Sequence, residues 1–440
     1  MPEFLLLSRP LDALHSFLGA LPEKAPGIEQ VETSRALGRV LLEDVHSPHP
    51  LPEFPRSTVD GYALRAHDTF GVSEGMPGYL DLAGEVTMGA APTFTISSGT
   101  CALIHTGGMV PEGADSVIMM ENTQIILNGK GGRYNHGINS ISTTSPENSE
   151  VEIGRAVAVG ENVIRIGEDV AADQVVLEAG IRIRPAEIGG CMALGIVKLR
   201  VATKPTIGII STGDEVVSPF QEPQPGQVRD VNSFTLAALV EKAGGIPVLY
   251  EIIPDDLEKL KLGAAKTLNE CDAVVITAGS SASARDLTTD VINSLGAPGV
   301  LVHGVNIRPG KPTILAVCDG KAVIGLPGNP VSALVIAGLF VVPVIEKLLG
   351  IKTGRPQSSI MAKMTVNVSS QAGREDWVAV KLLPARSISL SEGEGDWSAV
   401  PVFGKSNLIF SLAAADGLVR ISPEATGVSA GDIVEVVLLE

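Results

Sequence analysis

Thr206-Ile-Gly-Ile-Ile210, Ala273-Val-Val-Ile-Thr277 and Ala322-Val-Ile-Gly-Leu326 are three apolar runs, and each breaks off into a small polar loop bearing glycine. The loops read Ser211-Thr-Gly-Asp-Glu215, Ala278-Gly-Ser-Ser281 and Pro327-Gly-Asn-Pro330. Between the runs lie segments of helical length and period, Ser233 to Ala243, Asp255 to Leu268 and Asp286 to Leu295. Short apolar runs alternating with helices predict a parallel sheet with right-handed crossovers. The loops after such strands gather at one edge, where helix N-termini aim N–H groups at anions. That edge would collect Asp214, Glu215 and Asp286, with Arg308 and Lys311 from Asn306-Ile-Arg-Pro-Gly-Lys-Pro312. Acids beside bases at an anion-binding rim point to a phosphorylated ligand accompanied by a divalent metal.

Composition narrows the partners. A chain of 440 residues exceeds one ordinary core, so several domains are expected. Aromatic residues at 4% argue against stacking platforms for single-stranded nucleic acid, and a formal charge of −17 argues against a general nucleic-acid binder. An anionic small ligand must then be held by local cations or a metal, against the global field. Cys101, Cys191, Cys271 and Cys318 form no Cys-x-x-Cys pair, so neither a zinc knuckle nor a disulfide framework is expected, and a reducing cytoplasm fits. The longest apolar run, Val331 to Ile345, contains Ser332, Gly338 and Pro343. It falls short of the ~18–20 residues of a membrane span and reads as a buried core helix.

Taken in order, residues 8 to about 48 read as helical, with Leu11, Leu14, Phe17 and Leu18 at i, i+3, i+6 and i+7, and Val31, Leu37, Val40 and Leu41 beyond. His46 to Pro55 carries four prolines in ten residues and reads as an extended linker, its two histidines as solvated loop residues. Asp60-Gly61 reads first as a turn. Short runs at Tyr79 to Ala83, Cys101 to His105 and Ser116 to Met120 predict a small β domain. Asn128 to Ser149 reads as an inserted surface loop, Pro185 to Leu194 as a helix, and Arg355 to Glu440 as a β-barrel or sandwich. The resulting plan is multidomain, α/β plus β: 1–48 with 160–203 as a discontinuous helical or mixed linker domain, 49–159 as an inserted β domain, 204–354 as the parallel-sheet α/β domain and 355–440 as the C-terminal barrel.

Asp60-Gly-Tyr-Ala63, Thr106-Gly-Gly-Met109 with Gly113-Ala-Asp115, Asn162 through Asp169, Ser211 to Glu215, Pro309-Gly-Lys-Pro312 and Gly325-Leu-Pro-Gly-Asn-Pro-Val-Ser332 together resemble the molybdopterin molybdenumtransferase (MoeA) family, which includes the C-terminal domain of gephyrin. The resemblance runs from about Ser8 to the end, six motifs in register. It implies a homodimer of four-domain subunits with the site shared between them, and 204–354 as a molybdopterin-binding-type domain. It implies exchange of molybdate for AMP on adenylylated molybdopterin, with Mg²⁺, and partners among molybdopterin adenylyltransferases and molybdenum enzymes.

Carried onto this chain, the resemblance gives Asp60, Glu215 and Asp286 as catalytic residues, Asp60 acting from the other subunit. Asp286, Asp214 and Glu215 become metal ligands. Thr106, Ser211, Thr212, Gly213, Asp214, Gly279, Ser280 and Ser281 become substrate contacts. So do Arg308, Pro309, Gly310, Lys311, Pro327, Gly328, Asn329, Pro330 and Ser332, while Arg374, Lys381 and Ser406 are weaker molybdate candidates. Plainer roles stand beside these. Asp214 and Asp286 could be helix N-caps, and Pro327 to Pro330 could merely shape the entry to the next helix.

Three stretches depart from the family pattern. Ala278-Gly-Ser-Ser-Ala-Ser-Ala-Arg-Asp286 puts hydroxyls where many members have glycines, Arg308 stands where many have lysine, and after Arg374 no second arginine follows soon. The alternatives are a pterin- or nucleotide-binding scaffold or carrier, and a tungstate-preferring insertase.

Overall fold

The computed structural model describes residues 7–127, 133–134, 149–278, 282–352, 357–384 and 397–439, with the backbone alone at 127, 133–134 and 282–286. Nearly all of the 128–149 insertion therefore lies outside the described residues. The chain divides into two compact units, one of Met1–Glu43, Ala179–Ile188 and Val197–Glu440, the other of Asp44–Glu178 and Gly189–Ile196.

The larger unit is built on a six-stranded sheet of β1 (Thr206–Ser211), β2 (Ile246–Leu249), β3 (Ala273–Ala278), β4 (Pro298–His303), β5 (Ile314–Cys318) and β6 (Lys321–Pro327). The strands lie in the order β2-β1-β3-β6-β5-β4. Four adjacent strands are parallel, as expected. The expectation is corrected on one side, where β5 runs antiparallel to both β6 and β4. Asp319 and Gly320 close that hairpin with φ of 49° and 80°, the paired positive values of a two-residue hairpin turn.

Successive side chains of a strand face opposite ways, and here both faces are covered. Ile207, Ile209, Val275 and Ile324 pack with Leu236 and Val240 of α1 (Asn232–Ala243) and with Ile336, Phe340 and Val344 of α4 (Pro330–Leu348). Ile210, Val274, Ile276 and Val323 pack with Leu260 and Ala264 of α2 (Leu257–Glu270) and Val291 and Ile292 of α3 (Ala282–Asn293). Strands buried on both faces read as unbroken apolar runs, which is why the three strongest were visible in the sequence. The 19 residues of α4 are long and apolar enough to cross a membrane by length and composition, yet one side of the helix is buried in this core.

The helical reading of residues 21 to 48 is corrected. Helix Pro10–Ala20 ends before Pro22 and Pro26, which cannot donate to a continuing helix. Ile28–Glu32 is a strand antiparallel to Lys198–Ala202. At the other end of the unit, Glu375–Pro384, Trp397–Pro401, Ser359–Met364, Ile433–Leu438 and Gly417–Ile421 pair in that order and the last pairs back to the first, closing a five-stranded barrel. Ala362, Met364, Val380, Ala399, Val419 and Val436 fill it. Ile307–Arg308, from the loop after β4, joins the barrel beside Glu375 and Asp376.

In the second unit a seven-stranded sheet places Ser116–Met119, Gly61–Leu64, Thr100–Ile104, Gly78–Glu85, Ser149–Ile153, Thr123–Leu127 and Arg133–Tyr134 side by side. Tyr62, Leu64, Cys101 and Leu103 enter one core, Ala63, Ala102 and Ile104 the other. The turn expected at Asp60-Gly61 is instead the entry to a central strand. A Cβ on Gly61 would lie 1.9 Å from the Ile118 carbonyl oxygen, so only glycine lets the strands pair there.

Candidate active site

Because β1, β3, β4 and β6 run the same way, the loops after Ser211, Ala278, His303 and Pro327 lie at one edge of the sheet. The strand order reverses between β1 and β3, the place where open α/β sheets leave a ligand crevice. Ser211, only 2% exposed, has its hydroxyl 2.9 Å from Ser233 Oγ and 3.1 Å from both Asp230 Oδ1 and Thr277 Oγ1. Asp230 also accepts the Ser233 N–H at 3.1 Å, which ties β1, β3 and the start of α1 together. Ser211 thus supports the crevice floor with its side chain. Thr212 is buried beside it, its N–H donating to the Thr277 carbonyl.

Gly213, Asp214 and Glu215 form the turn that follows, and no helix begins there, so the N-cap reading of Asp214 is corrected. Its carboxylate accepts the Asp255 N–H at 3.2 Å. Asp255, on the loop after β2, completes an acidic group. Burial, with Asp214 and Glu215 beside it, pushes the Asp255 carboxyl above its ordinary value, against a hydrogen bond from Thr212. Asp255 with Asp214 and Glu215 beside it offers hard oxygen donors to a cation such as Mg²⁺, which binds through one or two carboxylates and keeps its waters. The donor chemistry fits such an ion, although no closed set of three ligating side chains occurs among the described residues. Gly279, Ser280 and Ser281 lie outside the described residues. Asp286 is the fifth residue of α3, so the alternative reading of it as an N-cap is corrected, and its side chain is not described.

The loop from His303 to Ile314 carries the cations. Gly310 has φ of 111°, and a Cβ there would sit 2.2 Å from Ile336 Cγ1, so the Arg308-Pro309-Gly310-Lys311 turn is pressed onto α4. Arg308 lies 4.0 Å from the Asp376 carboxylate, its neighbour across the strand pair, while Lys311 is exposed. Asp376, 3% exposed, is held side-on by Arg374 at 2.6 and 2.9 Å. Arg374 is thereby brought to the rim with Arg308, one of its edges committed to an internal acid. Neighbouring Glu375 is satisfied by Trp377 Nε1 at 2.8 Å and Arg420 at 2.7 Å. Lys381 stands five residues further along that strand, about 16 Å from Asp376, and is not brought to the rim.

Pro327 ends β6, Asn329 is the N-cap of α4, and Pro330 is its first residue. Asn329 spends its side chain on Ser406 Oγ at 3.0 Å, and the Val331 N–H donates to the Ser406 carbonyl, so the barrel segment bearing Ser406 docks on the start of α4. Ser332 is buried in the first turn. The Gly328 carbonyl accepts Asn232 Nδ2 at 2.8 Å, and the buried Asn232 Oδ1 has no hydrogen-bond partner among the described residues. Sequence reasoning missed Asp230, Asn232, Asp255 and Asp376. Recognising β2 would have brought Asp255 into view, because its loop leaves the sheet at the same edge.

In the second unit, Asp60 Oδ1 accepts the Thr106 N–H at 2.7 Å and the Thr106 hydroxyl at 3.1 Å. The backbone donor from Thr106 is the main reason the Asp60 carboxyl is held below its ordinary value, with His105 adding to the effect. The two residues singled out from separate motifs are thus one constellation.

Family descriptions match along the chain. The MoeA N-terminal region (domain I and II) matches residues 10–195, the "Probable molybdopterin binding domain" matches 208–347, and the MoeA C-terminal region (domain IV) matches 361–439. The molybdopterin molybdenumtransferase of Staphylococcus epidermidis is 30% identical over 93% of this chain and 91% of its own. Molybdopterin molybdenumtransferase 2 of Mycobacterium tuberculosis is 32% identical over 92% and 94%. The crystal structure of the molybdopterin biosynthesis MoeA protein of Pyrococcus horikoshii OT3 superposes with a TM-score of 0.79 at 30% identity, covering 98% of this chain and 100% of that one. Fold and rim define a multidomain protein built on a molybdopterin-binding type of α/β domain with a C-terminal barrel. The chain belongs to the MoeA, or molybdopterin molybdenumtransferase, family, and so to molybdenum cofactor biosynthesis.

Proposed function

We propose that the chain inserts molybdate into adenylylated molybdopterin and releases AMP, with Mg²⁺ assistance. The observation that carries this reading is the meeting, on one strand edge, of the acids Asp214, Glu215 and Asp255 with the cations Arg308 and Lys311. Adenylylated molybdopterin is a polyanion with a pyrophosphate, and such a ligand needs both. One or two of Asp214, Glu215, Asp255 and Asp286 would hold Mg²⁺, which would supply charge neutralisation at the pyrophosphate. Arg308 and Lys311 bind phosphate and molybdate oxygens, and Arg374, aligned by Asp376, adds its remaining edge. Ser211, Asn232 and Asn329 keep the lips of the crevice in register. No nucleophilic side chain is required.

The reading includes a homodimer in which Asp60 of one subunit completes the other's site, resting on the family resemblance alone. It includes contact with molybdopterin adenylyltransferases and molybdenum enzymes on the same ground. It places the protein in the cytoplasm, which the four free, buried cysteines support. Asp286→Asn tests the chemistry: turnover should fall at least 100-fold, of the order seen when one charge-stabilising group is lost, while pterin binding stays within a few-fold. Full activity in that variant contradicts the assignment.

A further inference from the structure

Asp60 does not stand alone with Thr106. Gly61 pairs with Ile104 in an antiparallel register, so the residue before Gly61 stands opposite the residue after Ile104, which is His105. Glu85 and Ile104 end two strands that run parallel, with Glu85 in register with Leu103. Three chain segments therefore deliver Asp60, His105 and Glu85 to one place. His105 Nδ1 lies 3.6 Å from Asp60 Oδ1, and His105 Nε2 lies 3.4 Å from Glu85 Oε1. A neutral imidazole can donate to only one of these carboxylates, whereas an imidazolium donates to both. The imidazole is three-quarters buried while both acids are about half exposed, so the ring is the fixed member of the set.

The donors recorded around Asp60 all converge on one oxygen. The Thr106 N–H, the Thr106 hydroxyl and His105 Nδ1 each address Oδ1, which leaves Oδ2 turned away from them on a half-exposed side chain. One oxygen is anchored, the other presented. An acid, an oriented ring and a second carboxylate behind it are the parts by which active sites fix a reacting group's angle and charge.

We propose that His105 and Glu85 are positioning residues for Asp60, the imidazole bridging the two carboxylates so that Asp60 Oδ1 is held and Oδ2 is presented. This inference rests on the reading of Asp60 as part of the catalytic site. The charged groups recorded around Asp60 are His105 and, through it, Glu85; Thr106 contributes neutral donors only. The sign is fixed by the chemistry. His105 helps hold the Asp60 carboxyl down, so removing the ring makes Asp60 take up a proton at a higher pH.

The test is the pH profile of molybdate-dependent AMP release by the full-length protein. His105→Gln should move the acid limb to higher pH, and only modestly because the pair is partly solvated. His105→Asn should repeat it, which guards against an unfolded variant, and His67→Gln, an exposed histidine of the same unit, should leave the limb in place. Glu85→Gln should lower turnover several-fold in the His105 protein and change nothing in the His105→Gln protein, because it acts through the ring. An unmoved acid limb in both His105 variants, with Asp60→Asn inactive, overturns this inference alone. Wild-type turnover in Asp60→Asn overturns the catalytic reading of Asp60 and this inference with it.

Discussion

Asp255 shows how a single residue divides between stability and function. Its carboxyl is raised by burial and by Asp214 and Glu215, so at neutral pH its charge costs more in the folded protein than in the unfolded chain. The cost is present above its folded value and vanishes as pH falls below the ordinary carboxylate range, near 4. Asp255→Asn should therefore raise the unfolding temperature of the metal-free protein at pH 7 by a degree or more, lose that gain below about pH 4, and reduce turnover. A thermal scan against pH decides this, and a variant less stable at pH 7 contradicts it. Arg374 carries a related lesson. The sequence offers it as a molybdate contact, yet the geometry gives its Nε edge to a buried Asp376, so only its other edge remains for a ligand. No sequence pattern announces that commitment, because Arg374 lies in the bend just before a strand whose burial at Asp376 comes from the barrel.

At the scale of elements, what could be read depended on burial. β1, β3 and β6 were legible because they are covered on both faces. β2 was not, since Ile-Pro-Val-Leu carries a proline and its residues are only partly buried, as an edge strand allows. The β5–β6 hairpin had a signal, the Asp319-Gly320 step between apolar runs. The start of α3 was set four residues late, because Ala282-Ser-Ala-Arg285 has helix-permitting residues but no apolar period. The loop holding Arg308 and Lys311 is fixed by Gly310, whose conformation and contact with Ile336 both exclude a side chain. Gly310→Ala should cost ~1–3 kcal/mol by overpacking, read as a lower denaturant midpoint, and should weaken anion binding by moving Arg308. An unchanged midpoint would show that the loop is not pressed onto α4.

At the scale of the whole molecule, the multidomain plan with an α/β domain and a C-terminal barrel was legible. The rim residues come from loops more than a hundred positions apart, from Ser211 to Asn329, and from the barrel at Arg374 and Ser406. A chain of net charge −17 that gathers cations on an acid-bearing rim concentrates its anion affinity there. What remained hidden were pairings with no periodicity of their own, such as Ile307–Arg308 joining the barrel, or Asp60 meeting His105 across two strands. The most direct test of the account is AMP release from adenylylated molybdopterin by the purified protein, with and without molybdate, at fixed Mg²⁺. The account predicts release that depends on molybdate. Pterin binding with no release at any molybdate concentration would contradict it and leave a carrier or scaffold in its place.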